Sequence, residues 1–244
     1  MGAVPVPLAT QNFPQFGSQH LVILVVTLVG CVVAFRLGRR WRGRREEQWA
    51  ARVLGTLVLG VAVPQQVAEL VGSGRLFYTS LPFQLSDLVW MVAVWTLFTG
   101  GRRSRSLLYY WGLTLTPQAI ITPSLGHLWP EPLFITFWAV HVLTLWAAVF
   151  VCLGVGPGPD WRDYRWALLC TALWAVLVMG FNALAGTNYG FLNAKPPSAS
   201  ALDLLGPWPV YVFAEVAILV AVWALMTWPW TAGRRRRRAA QLPT

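Results

Sequence analysis

The sequence predicts an all-α fold: a polytopic membrane protein whose seven transmembrane helices form one bundle, N-terminus outside and C-terminus inside. Three observations predict it. Only 11% of the 244 residues are charged, against about 25% in an average soluble domain. Apolar residues make up 56% of the chain and the mean hydropathy is +0.54. Nearly all basic residues fall in short blocks between apolar runs, a pattern that orients helices in a membrane. Disorder and an ordinary soluble enzyme surface are excluded by the same figures. The net charge of +10 suggests nucleic acid until its placement is considered; sorted by loop, it serves topology, and no nucleic-acid partner is expected.

A hydrocarbon core about 30 Å thick needs about 20 helical residues, and seven apolar stretches approach that length, near 20–38, 51–72, 82–99, 106–124, 132–153, 165–185 and 208–230. The first follows a charge-free opening of 35 residues, so it lacks the positive region of a secretory signal and is expected to stay as an anchor. An Arg block separates it from the second. Pro82 and the Gly100–Gly101 pair bound the third. The fourth is interrupted by Gly112, Pro117 and Gln118 and is expected to be kinked and packed inside the bundle. The fifth opens at Pro132, the sixth follows the GPGPD turn, and the seventh runs from LLGPWP into an Arg tail. The chain divides accordingly into an external segment 1–19, the helical domain 20–230 and a basic tail 231–244.

Alternate connections carry seventeen of the nineteen basic residues, leaving only Arg75 and Lys195 on the other side. Cytoplasmic loops hold the Arg and Lys excess, which requires an odd number of spans and places the protein in the cell (plasma) membrane as a multi-pass protein. Cys31, Cys152 and Cys170 are too far apart for a disulfide framework or a CxxC site.

Ionisable groups inside a span cost about 2.5 to 3.5 kcal/mol each on insertion scales, so they face the bundle interior and mark function. Here they gather in the outer half. The second span leaves through Gln65, Gln66 and Glu69; the third enters with Gln84, Ser86 and Asp87; the fifth carries His141. Gln118 lies on the fourth, Asn182 ends the sixth with Asn188 and Tyr189 just beyond, Glu215 is near the entry of the seventh, and His20 opens the first. This one-sidedness predicts an outward-facing polar cavity rather than a through-channel. The competing reading is that these groups are interhelical hydrogen-bond glue. Lys195 or Arg75 would serve as counter-ion to Asp87. No cofactor is expected: a retinal Schiff base needs a Lys inside the bundle, and a three-His metal site fails because neither His20 nor His127 has a carboxylate at ligand-like spacing.

Several motifs are specific: FGSQHL, LPFQLSD, YYWGLTLTPQAIITPSLGHLWP, FITFWAVH and NALAGTNYGFLNAKPPSASALDLLGPWPVY. With them the chain, over about residues 20–211, resembles the YwaF-type family of bacterial integral membrane proteins. That family is distantly similar to eukaryotic transmembrane acyltransferases of ether phospholipids and to androgen-induced intramembrane hydrolases. The resemblance implies a seven-helix bundle and acyl transfer between a nucleophile and a His on different helices. His141 matches the His. The nucleophile position falls in LPFQLSD, where relatives carry Cys and this chain has Ser86.

Acyl transfer also needs an acceptor to orient the base and donors for the oxyanion. Asp87 or Glu69 is the candidate orienter; Asn182 and Asn188 are oxyanion donors or helix caps. Ser86 and His141 lie at depths differing by about 8 Å if their helices run straight. The preferred function is thus an acyltransferase or hydrolase acting on membrane lipid acyl esters. The alternative is a non-catalytic lipid-binding, small-solute transport or accessory protein.

Overall fold

The computed structural model describes residues 13–71, 78, 80–123, 125–196 and 201–239, with the side chains of 201 and 235–239 excepted. Arg75, the last residues of the expected second and fourth spans, most of the N-terminal segment and the end of the basic tail lie outside the described residues. Seven α-helices occupy the described chain: α1 Ser18–Trp41, α2 Arg45–Val71, α3 Leu85–Thr99, α4 Arg102–Ile121, α5 Pro132–Ala148, α6 Trp161–Ala185 and α7 Val210–Ala239. No strand occurs among them. By length and composition five of the helices can cross a membrane: α1, α2, α5 with its extension, α6 and α7. Their outward faces are apolar, as at Val22, Val25 and Leu28 on α1 and Leu169, Leu173 and Leu177 on α6, which suits lipid and not water. The molecule is a multi-pass, all-α membrane protein.

Five of the helices, α1, α2, α4, α6 and α7, overrun their apolar stretches into the flanking charge. α2 begins at Arg45, α4 at Arg102 and α7 continues through Arg234, because hydropathy marks the lipid-embedded part while the backbone bonds of a helix continue into the interface. Local chemistry sets the ends. Asp160 caps α6, its carboxylate accepting from the N–H of Arg162 at 2.8 Å and of Asp163 at 3.0 Å, and Asp163 returns a bond from the Asp160 N–H at 2.9 Å. Gly100 and Gly186 close α3 and α6 at φ of 66° and 65°, where a side chain would be strained. α5 opens with Pro132 in its first turn. α4 runs without a break through Pro117 and buries Leu108, Tyr110, Trp111, Gly112 and Ile120.

α5 is the axis of the bundle. Of its most apolar window, 67% is buried, against 11–17% for α1, α2, α6 and α7. It packs on α1, α2, α3 and α4. At its far end it widens into one π-helical stretch, Val149–Val155. Here α1 comes very close: a Cβ on Gly38 would lie 2.8 Å from the Gly154 Cα and from the Phe150 carbonyl oxygen. Arg42 then donates to the Gly154 and Gly156 carbonyls at 2.8 and 3.2 Å, satisfying acceptors that the π-turn leaves over. Higher up, the Trp146 indole donates to the Thr27 carbonyl at 3.0 Å and sits where a Gly30 side chain would be.

The basic end of the bundle is tied by ions. Arg102 on α4 bonds Asp160 at 2.7 Å and Asp163 at 3.1 Å, and the Ser106 hydroxyl donates to Asp163 at 2.8 Å. Partial burial pushes the Asp160 carboxyl up, but the Asp163 and Arg162 N–H groups and the Arg102 guanidinium outweigh it and hold the group below the usual carboxylate range.

Candidate functional site

At the opposite end, the last turns of α2, the first turn of α3 and the first half of α5 enclose a cavity of about 30 Å³. Glu69, Ser86, Asp87 and His141 line it with Gln65 and Gln66, together with Ala62, Trp90 and Val140. Residues 62, 65, 66 and 69 recur at helical spacing on one face of α2, and Ser86, Asp87 and Trp90 do so on α3. Two helix faces and one His therefore meet around one small space.

The protonation pattern of His141 follows from its partner. Nδ1 lies 2.7 Å from the Phe137 carbonyl oxygen one turn back. A carbonyl only accepts, so Nδ1 carries a proton, and in the neutral ring the lone pair is on Nε2. The acceptor that orients the ring is thus a backbone carbonyl of its own helix. Among the described residues Nε2 has no hydrogen-bond partner, and no hydrogen bond joins it to Ser86. Ser86 itself is exposed. The Phe137 ring lies against the imidazole with centroids 4.3 Å apart, fixing its face.

The carboxylates are differently held. Asp87 accepts from the Gln84 backbone N–H at 3.1 Å, so it caps α3 while facing the cavity. Glu69 accepts from the Gln65 amide at 3.1 Å, and the two carboxylates act on one another electrostatically. Gln65 Oε1 is buried without a hydrogen-bond partner, an acceptor with nothing to accept. Gln66 donates to the Ser80 carbonyl at 3.3 Å.

The remaining polar residues lie elsewhere. His20 is fully buried and doubly bonded: Nδ1 accepts from the Phe16 N–H at 2.9 Å, and Nε2 donates to the Ile120 carbonyl at 2.8 Å. It pins the start of α1 to the end of α4. Asn182 makes four bonds, from Nδ2 to the Tyr189 carbonyl and to Asn193 Oδ1, and at Oδ1 from Thr187 and the Tyr189 N–H. Asn188 bonds the Asn193 and Ala194 backbone. Both amides hold the loop after α6. The Tyr189 hydroxyl donates to the Tyr78 carbonyl at 2.9 Å, while burial pushes that phenol upward. Gln84 Oε1 takes the Gly190 N–H at 2.9 Å, tying this loop to the start of α3. Lys195 pairs with Asp203 at 3.4 Å and lies over the Tyr211 ring, so its charge is engaged in the loop. Gln118 is exposed on α4 and Glu215 half-buried on α7, neither on this cavity. His127 does have a carboxylate neighbour, contrary to the expectation from spacing: Glu131 binds it at 2.7 Å, four residues on. That bond, after the Leu128 N–H, holds the Glu131 carboxyl below its ordinary range.

Trp90 is the residue that sequence reasoning missed. Its indole N–H has no partner among the described residues, and it stands four residues after Ser86, a helical spacing that pointed to it.

Comparison with curated proteins found no match, and comparison with solved structures found none. A family model described as the TMEM164 family matches residues 15–227, which span the first six helices and most of the seventh, including every lining residue of this cavity. By that coverage the chain belongs to the TMEM164 family.

Proposed function

We propose that the protein is an intramembrane acyltransferase or hydrolase acting on lipid acyl esters. The observation that carries this reading is the convergence of Ser86, His141, Asp87 and Glu69, from three helices, on one cavity. His141 holds its proton at Nδ1, so Nε2 is the base. It takes the Ser86 hydroxyl proton as Oγ attacks the ester carbonyl carbon. The tetrahedral oxyanion collapses, the C–O bond to the lipid alcohol breaks, and that alkoxide takes the proton from Nε2. Acyl-Ser86 is then attacked by a second lipid hydroxyl or by water, whose proton passes through Nε2 to Oγ. The Trp90 N–H is the candidate oxyanion donor. Glu69 and Asp87 stabilise the imidazolium formed in each half. A cavity of about 30 Å³ admits an ester carbonyl and no acyl chain, so the chain stays in the bilayer beside exposed Ser86.

The topology belongs to the same proposal. All seven helices cross the membrane, α3 and α4 within the bundle, with the N-terminus outside, the basic end cytoplasmic and the cavity in the outer half of a plasma membrane. LPFQLSD and LLGPWP support placing the chain among YwaF-type bacterial members. A second reading, non-catalytic lipid binding, solute transport or an accessory role, is favoured by the missing Ser86–His141 hydrogen bond.

A lipid-like fluorophosphonate tests the choice. Covalent labelling at Ser86 that is lost in Ser86→Ala and in His141→Ala, both folded, is expected. A folded wild-type protein that takes no label at Ser86 supports the second reading.

A further inference from the structure

A larger cavity, of about 300 Å³, lies at the basic end, where α4 and α6 begin and α7 approaches the loop after the π-turn. That volume is at the lower bound of small-ligand sites. Its charged lining is Arg102, Arg105, Arg234, Asp160 and Asp163, so guanidiniums outnumber carboxylates by one.

The carboxylates are fully committed. Asp160 and Asp163 cap α6 through its first N–H groups, and what remains of their lone pairs goes to Arg102 and Ser106. Arg234 is committed as well, donating to the Pro157 carbonyl at 3.1 Å and to those of Gly158 and Pro159. Arg105 is not. One terminal nitrogen reaches the Gly100 carbonyl at 3.3 Å, while its Nε is buried without a partner. A buried charged donor left unmade is costly. The backbone adds to the deficit. α4 starts at Gly101 with no side-chain cap and no acidic residue in its first turn; that turn carries Arg102, Arg103 and Arg105 instead. Positive side chains at the positive end of a helix dipole repel it, and an anion there is favoured.

We propose that this cavity binds a phosphate group, with Arg105 as its principal ligand. The tetrahedral oxyanion supplies what the site lacks: several acceptors for a planar guanidinium fork. A phospholipid headgroup of the adjoining leaflet and free inorganic phosphate share that chemistry. The inference does not use Ser86 or His141, which lie at the other end of the bundle.

The full chain in a neutral detergent tests it, with thermal unfolding and calorimetric titration as readouts. The probes are inorganic phosphate, dioctanoyl phosphatidic acid and, as the uncharged control, dioctanoylglycerol. Saturable binding and stabilisation by phosphatidic acid, absent with dioctanoylglycerol, are expected. If phosphatidic acid alone binds, the source is lipid; if phosphate binds equally, the free ion suffices. Arg105→Gln is expected to weaken binding at least about tenfold without lowering the unliganded transition, because Arg105 makes only the one 3.3 Å bond to Gly100 and its buried Nε makes none. Arg105→Lys, which keeps the charge but loses Nε, falls between. Arg36→Gln, outside the cavity, leaves affinity unchanged. Binding by neither phosphate probe, or equal binding in wild type and Arg105→Gln, overturns the proposal.

Discussion

Asn182 is the most heavily bonded side chain in the loop that closes the α3 end of the bundle, and its removal has a calculable cost. It is 2% exposed and makes four hydrogen bonds. At about 1 kcal/mol net for each, Asn182→Ala costs about 4 kcal/mol. Much of it arises because the Tyr189 N–H and carbonyl lose their Asn182 partners while buried; Tyr189 is itself 5% exposed. Asn182→Asp separates this account from simple packing. It has the same shape and keeps the two bonds accepted at Oδ1, but it turns an oxygen toward the Tyr189 carbonyl and Asn193 Oδ1 and buries a charge. It is expected to be at least as damaging as Ala. SDS titration of the purified protein in mixed micelles, followed by circular dichroism, measures the difference. A loss below about 1 kcal/mol for Ala, or an Asp variant as stable as wild type, refutes the reasoning. Because Gly190 bonds Gln84 at the start of α3, loosening this loop also loosens the turn that carries Ser86, and fluorophosphonate labelling falls with stability.

Three further outcomes are expected. Gly38→Val places a side chain 2.8 Å from the backbone of Gly154 and Phe150, which cannot rotate away, so α1 and α5 separate at a cost of about 1 to 3 kcal/mol in the same titration; an unchanged midpoint contradicts the close approach. His20→Phe leaves the Phe16 N–H and Ile120 carbonyl unpaired and costs about 2 kcal/mol or more, while the acyl-transfer chemistry proposed for His141 keeps its intrinsic labelling rate; loss of labelling with full stability counts against a purely structural His20. The Asp160 carboxyl is depressed by its N–H and Arg102 partners, so its contribution to stability is present above the unfolded carboxylate pKa near 3.9 and is lost as pH falls through the lower folded value. Acid unfolding curves of Asp160→Asn and wild type should therefore converge at low pH and differ above about pH 4; curves that stay parallel throughout contradict it.

The helices were readable because lipid demands runs of apolar residues and the Arg blocks punctuate them. What hydropathy could not report is what happens past the last apolar residue, where α2, α4 and α7 continue as charged helix. The π-turn at Val149–Val155 has no signature in VFVCLGV; the groups that meet it, Gly38 and Arg42, lie far earlier in the chain. At the candidate site, spacing alone shows that Gln65, Gln66 and Glu69 share one face of α2. That this face meets Asp87 and His141 depends on the packing of α2, α3 and α5, which no local pattern encodes. Amides are ambiguous in a sequence for the same reason. Gln65 keeps an unpaired oxygen at the cavity, whereas Asn182 and Asn188 are bonded at both amide atoms within the loop after α6, and nothing in their immediate neighbours separates the two cases. The basic residues were counted by sign, which gives orientation but not partners, so the pairing of Arg102 with Asp160 and the isolation of Arg105 were invisible.

The contact between α1 and the end of α5 bears on the order of biogenesis. The closest packing of α1 is with residues more than a hundred positions later, at Gly154 and Trp146. When α1 leaves the ribosome, neither partner has been synthesised. It must therefore enter the bilayer without these partners and wait for them until the fifth helix is made. High hydropathy suits that requirement: the most apolar window of α1 averages 2.6, against 1.5–2.1 in the other four long apolar helices. α6 and α7, by contrast, follow α5 in the chain and can shelter against helices already in place.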